Sequence, residues 1–153
     1  GSDIGDVMAN LQLEDQCGEV VDTWDFFGEY HVLYLTAAWW GSCAAEAGGL
    51  QEIQDTFIAE TGLSFSFIFA LNEGSSGNPA VAEDAMAYHE RIGTPRFPIF
   101  ADGLKKISSS SPLTQEYYPE TCAISPNFEF IGCHRGHSGY EESLQDIKTH
   151  AGL

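Results

Sequence analysis

The first ninety residues contain no lysine or arginine; the first cation is Arg91, and the whole chain has only six. Against 23 Asp and Glu, this leaves a formal net charge of −17. Nucleic acid and anionic membrane surfaces need a cationic face, so neither is expected as a partner. The acidity reads as a solubility device, suited to a salty or extracytoplasmic setting. Long apolar runs are missing too. A membrane-spanning helix needs roughly 18 apolar residues, and the best run here, Leu63 to Leu71, is strand-sized. Gly1-Ser2 reads as a cloning scar, so an export signal or lipid anchor ahead of it would leave no trace. The four cysteines, Cys17, Cys43, Cys122 and Cys133, are too few and too scattered for a disulfide framework.

What the chain does have is a core's worth of apolar side chains. The 153 residues are 43% hydrophobic, with ten Phe and three Trp, enough for a single domain over residues 1–153. Residues 10–21 alternate around an Asp15-Gln-Cys-Gly18 turn and predict a β-hairpin. Trp24 to Phe27, closed by Gly28, predicts one helical turn. His31 to Thr36 is an aromatic and β-branched run without alternation, the pattern of a central strand covered on both faces. From Cys43 to Glu60, apolar residues at Cys43, Ala47, Leu50, Ile53 and Phe57 line one helical face. Gly48-Gly49 should bend that helix, at about 1 kcal/mol per glycine.

Leu63 to Leu71 predicts a second buried strand, and Asn78-Pro79 a helix start by N-cap and N1 preference, running to about Arg91. Short strands follow at Pro98–Phe100, Thr121–Ile124 and Glu129–Cys133, the last two joined by a Ser-Pro-Asn turn. Ser138 with Glu141 reads as a capping box before a closing amphipathic helix. The order β-α-β-α-β-β-α behind a hairpin implies an α/β fold: parallel central strands finished by an antiparallel pair.

Four segments together resemble the thioredoxin-fold redoxins of the AhpC/TSA and TlpA/ResA type: Leu13 to Val20; Trp24 to Gly28; Ala37-Ala-Trp-Trp-Gly-Ser-Cys-Ala-Ala-Glu46; and Tyr118-Pro119-Glu-Thr-Cys-Ala-Ile-Ser-Pro126. The resemblance spans nearly the whole chain and implies a thioredoxin-like fold, a mixed sheet flanked by helices. The family motif reads Trp-Cys-x-x-Cys-x-x-Glu. Trp39, Cys43 and Glu46 match it, but Trp40 stands where the nucleophilic cysteine belongs. Thiol exchange needs an exposed thiolate at the helix N-terminus and a second thiol to resolve the mixed disulfide. Cys43 corresponds to the resolving, inward-facing thiol, whose pKa burial should raise. The motif Trp40-Gly41-Ser42-Cys43 therefore predicts deficient dithiol exchange.

The resemblance further implies that Glu46 tunes the thiol and shuttles protons, although a first-turn glutamate can equally serve the helix dipole. It makes Pro119 the cis-proline, with Pro98 and Pro126 as rivals, and puts Trp39, Tyr118 and Glu120 on the substrate side. The implied partners are protein thiols and disulfides or an extended peptide, bound by a monomer in the periplasm or another extracytoplasmic space. No cofactor and no metal are required. A tryptophan codon is one base from both cysteine codons and from the stop codon that can encode selenocysteine, so Trp40 reads either as a replaced nucleophile or as an aromatic lid.

Two other readings stay open. Cys43 resembles a peroxidatic cysteine in lying at the later motif position, but the peroxiredoxin pattern Pro-x-x-x-Thr-x-x-Cys meets Thr36 and Trp40 here. A non-catalytic module would use Trp39, Trp40 and the Pro119 edge to hold peptides. Cys17, Cys122 and Cys133 read as small buried hydrophobes, with Cys17–Cys133 as a bridge to consider in an oxidising compartment. Cys133-His134 with His137 has a faint metal-ligand look without the second cysteine such a site needs. His31, His89 and His150 belong to no recognisable constellation.

Overall fold

The computed structural model describes residues 1–114 and 118–153. Among the described residues seven strands, β1 (Gln12–Glu14), β2 (Val20–Asp22), β3 (Tyr30–Ala37), β4 (Phe65–Glu73), β5 (Ile99–Ala101), β6 (Glu120–Ile124) and β7 (Phe130–Arg135), form one sheet. Its order is β2-β1-β5-β4-β3-β6-β7. β4 is parallel to β3 and β5, while β6 runs antiparallel to β3 and β7 antiparallel to β6. The helices are α1 (Gly41–Ala47), α2 (Leu50–Thr61), α3 (Ala82–Arg91), a short α4 (Lys106–Ser109) and α5 (Gly139–His150). Five-stranded centre, terminal hairpin and flanking helices make the fold thioredoxin-like.

β3 is buried along its whole length, as its unbroken apolar run requires for a strand covered on both faces. On one face Val32, Tyr34, Phe67, Phe69 and Leu71 meet α2, α3 and α5 through Leu50, Phe57, Tyr88 and Ile147. Tyr34, Phe69 and Phe97 form a stack there, with centroids 4.4 and 4.9 Å apart. Each such pair adds about 0.5–1.5 kcal/mol to its area burial. On the other face Leu33, Leu35, Ile68 and Cys122 meet Met8, Phe100, Ile107 and Phe128.

The double glycine divides the predicted helix into α1 and α2 rather than merely bending it. Two predicted starts are corrected. Asn78-Pro79 does not open α3: Pro79 pairs with Glu73, and the helix begins three residues later, where Asp84 Oδ2 accepts the Val81 N–H at 2.9 Å. At the head of α5, Ser138 has helical φ and ψ and makes no side-chain cap, so the expected capping box is absent.

The bridge considered between Cys17 and Cys133 is also corrected. Cys133 is bonded to Cys122, directly opposite it on β6 and β7 with 4.1 Å between Cα atoms, and Cys17 is a free, exposed thiol in the hairpin turn.

Candidate functional site

β3 ends at the site. Beyond it the chain turns, the Trp40 N–H bonding Ala37 O at 3.2 Å, and Trp40 becomes the N-cap of α1. The Trp40 carbonyl accepts from Cys43 and Ala44, which sets Cys43 in the first turn of α1. Two further bonds fix this turn by its backbone: Ala38 N–H to Glu73 O at 2.8 Å, and Arg91 Nη1 to Ala38 O at 2.6 Å. The tie from α3 was not foreseen from the sequence, because a main-chain acceptor leaves no mark on side-chain pattern.

Cys43 is fully buried and unpaired. Its thiol is pushed up to about 11, chiefly by burial, with the Thr36 hydroxyl working against the rise and the charge of nearby Glu46 contributing to it. Thr36 and Tyr88 lie behind the thiol, and both hydroxyls are close enough to influence it and each other. Neither completes a hydrogen bond of ordinary geometry, although both oxygens are fully buried. This polar lining is therefore held against Cys43 without a strong bond of its own.

Glu46, one turn beyond Cys43, keeps 13% of its side chain exposed. Its carboxylate accepts the Tyr34 hydroxyl and has His137 Nδ1 3.8 Å away. Burial raises its pKa; Tyr34 and His137 oppose that rise, and Glu141 adds to it. Burial likewise drives the Tyr34 hydroxyl far above its usual range, so it stays a donor. Sequence reasoning missed Tyr34, although a tyrosine inside a doubly buried strand must find a partner for its hydroxyl.

Immediately before β6, the Tyr118–Pro119 peptide bond is the only cis bond among the described residues, and the rivals Pro98 and Pro126 do not share it. The Pro119 carbonyl accepts the Gly136 N–H at 2.9 Å, which ties this turn to the loop carrying His137. Trp39 and Trp40 are 43% and 38% exposed, and meet edge to face at 5.2 Å. Tyr118 closes on Trp39 at 6.1 Å, and Trp39 Nε1 donates to Glu73 at 2.9 Å. Trp39, Trp40 and Tyr118 are thus brought together, Cys43 and Glu46 follow Trp40 on α1, and Pro119 is tied to the loop whose His137 meets Glu46. Glu120 is turned inward: only 2% exposed, it accepts from the Thr114 N–H and hydroxyl.

The faint metal set disperses. Cys133 is in the disulfide, His134 Nε2 sits 2.7 Å from Asp146, and His137 faces Glu46. Among the described residues, no group of three such side chains is arranged to hold a metal ion. His31, His89 and His150 bond the Phe26 carbonyl, the Pro95 carbonyl and the Tyr30 hydroxyl, which are roles in packing.

No protein-family model matches the sequence, and no curated protein matches it. Solved structures do resemble the fold. The peroxidoxin BcpB from Mycobacterium tuberculosis is 14% identical with a TM-score of 0.77, covering 97% of this chain and 98% of its own. A protein described as thiol:disulfide interchange protein DsbE, from Chlorobium tepidum, is 19% identical with a TM-score of 0.73, covering 99% and 98%. The exposed lipoprotein thioredoxin Etrx1 from Streptococcus pneumoniae is 19% identical with a TM-score of 0.69, covering 90% and 99%. The chain has the thioredoxin-like fold that peroxiredoxins and thiol-disulfide exchange proteins share.

Proposed function

We propose that the chain is a redoxin of the thiol-disulfide oxidoreductase lineage, deficient in dithiol exchange because position 40 is tryptophan. The observation that carries this reading is the state of Cys43: a single buried thiol, raised to about 11, with Glu46 near enough for its charge to act on it. Such a thiol is a poor nucleophile at neutral pH. Cys122 and Cys133 are bonded to each other, and the other free thiol, Cys17, lies exposed in the turn between the edge strands β1 and β2, so neither is placed to resolve an adduct at β3. Protein thiols and disulfides are the proposed partners, met by a monomer outside the cytoplasm, with the aromatic group Trp39, Trp40 and Tyr118 and the Pro119 edge as the contact surface.

The test is reduction of insulin with dithiothreitol as electron source. The protein is expected at background and Trp40→Cys at least about tenfold above it, since the variant restores the attacking thiol. If neither exceeds background, disulfide reduction is the wrong chemistry. Peptide binding that survives Cys43→Ala would then favour a non-catalytic module.

A second reading has one observation in its favour. The Thr36 hydroxyl lies against Cys43, which offers a donor for a peroxide at that thiol. Peroxide consumption at the uncatalysed rate ends it.

A further inference from the structure

Along the face of the sheet that carries the site, α2 and α5 leave a groove of about 540 Å³ between them. Its floor is apolar, with Phe57 buried and Ile53 and Leu144 half-buried. Its rim is acidic: Glu52 and Glu60 on α2 and Glu141 on α5 are all exposed. One cation already sits in it. Lys148 Nζ, reaching across from α5, lies 5.9 Å from the Phe57 ring centroid, the geometry of a cation–π contact. The groove reaches Gly49, which joins α1 to α2, so one end of it lies beside the helix that carries Cys43 and Glu46.

We propose that this groove docks a segment of a partner protein that combines lysine or arginine with an apolar anchor, and so brings that partner alongside Cys43. Three carboxylates around one lysine leave the rim with unmatched negative charge, and Lys148 over Phe57 displays the contact an incoming cation would repeat. A second copy of this chain is a poor occupant, since each carries a formal net charge of −17 and like-charged surfaces repel. An apolar anchor over Ile53 and Leu144 adds the desolvated contact that charge alone does not provide. The inference supplies a partner class to the redox reading, but is tested apart from it.

The experiment uses the whole chain and a fluorescein-labelled, cysteine-free peptide of alternating leucine and lysine, with its leucine–glutamate counterpart as control. Binding is followed by anisotropy. The lysine peptide is expected to bind and the glutamate peptide not to. Glu52→Lys with Glu60→Lys is expected to weaken binding at least about tenfold, as for charges that face a ligand directly. An equal charge change far from the groove, Glu19→Lys with Asp25→Lys, should alter it less than about twofold at physiological salt, where distant exposed charges are screened. Equal weakening by both pairs would reduce the effect to overall charge and overturn the proposal, as would failure of the lysine peptide to bind. Because the peptide has no sulfur, neither outcome bears on whether Trp40→Cys reduces insulin.

Discussion

The Tyr34 hydroxyl, rising from the middle of the central strand, donates its hydrogen to the Glu46 carboxylate on α1. That bond spans strand and helix and favours the charged form of Glu46 in a setting whose burial works against charge. Its loss should therefore depend on pH. Tyr34→Phe removes the donor, raises the Glu46 pKa further, and is expected to cost about 1–3 kcal/mol where the carboxylate is ionised. At pH 5 the cost should be smaller, because Glu46 can take up a proton and no longer needs the donor. Urea denaturation at pH 8 and pH 5 measures both, and equal losses would separate Tyr34 from the ionisation of Glu46.

Alkylation should tell the two free thiols apart. Cys17 is exposed, whereas Cys43 is buried with its thiol pushed up to about 11. With iodoacetamide at neutral pH, Cys43 is expected to react at least ~100-fold more slowly, since the thiolate is the reacting species. Peptide mass spectrometry over time reads each site. Comparable rates would mean that Cys43 is accessible, which the proposed deficiency does not allow.

The disulfide ties the strand that follows Pro119 to the strand that leads to His137. Its sequence separation is 11 residues, and closing a loop of that size stabilises by roughly 3 kcal/mol in the chain-entropy account. Replacing both cysteines by alanine should cost about that much in chemical denaturation. It should also speed hydrogen exchange of the Gly136 amide, which bonds the Pro119 carbonyl. Unchanged exchange there would confine the disulfide to global stability.

His31 sets an acid limit. Burial lowers its pKa below the usual value, against opposing bonds to Phe26 and Ser66 and the charge of Glu29. The folded state therefore binds this proton less readily than the unfolded chain. The contribution is full above about pH 6.5. It declines as pH falls toward the lowered folded value, by up to about 1.4 kcal/mol per pH unit. His31→Gln should flatten stability between pH 6.5 and 5 relative to the parent. Parallel curves would assign the acid slope to the carboxylates.

Much of this was legible from pattern alone. The unbroken apolar run at β3, the double glycine and the Tyr118-Pro119 pair each force a local outcome that neighbouring residues do not override. What was illegible depended on register and on competition between acceptors. A slip of one residue between Ala123 and Ile124 carries Cys122 opposite Cys133. Without that bulge, counting outward from Ile124 and Phe130 would place Cys122 opposite Gly132, and no sequence spacing announces a bulge. Asn78-Pro79 looked like a helix start, but Pro79 was taken by a bridge to Glu73 and Asp84 did the capping. Glu120 looked like a surface ligand and is instead occupied by Thr114.

Arg91, the first cation in the chain, grips the turn before the motif by the Ala38 carbonyl. A main-chain oxygen is the same whatever side chains flank it. The grip therefore places no demand on the identity of residues 39 and 40, and the Ala38 amide bond to Glu73 places none either. Position 40 is in this sense free of the frame: exchanging its indole for a thiol would leave both of these backbone bonds in place. In the proposed redox reading, an attacking thiol at this position would then need one substitution and no rebuilding of these two bonds.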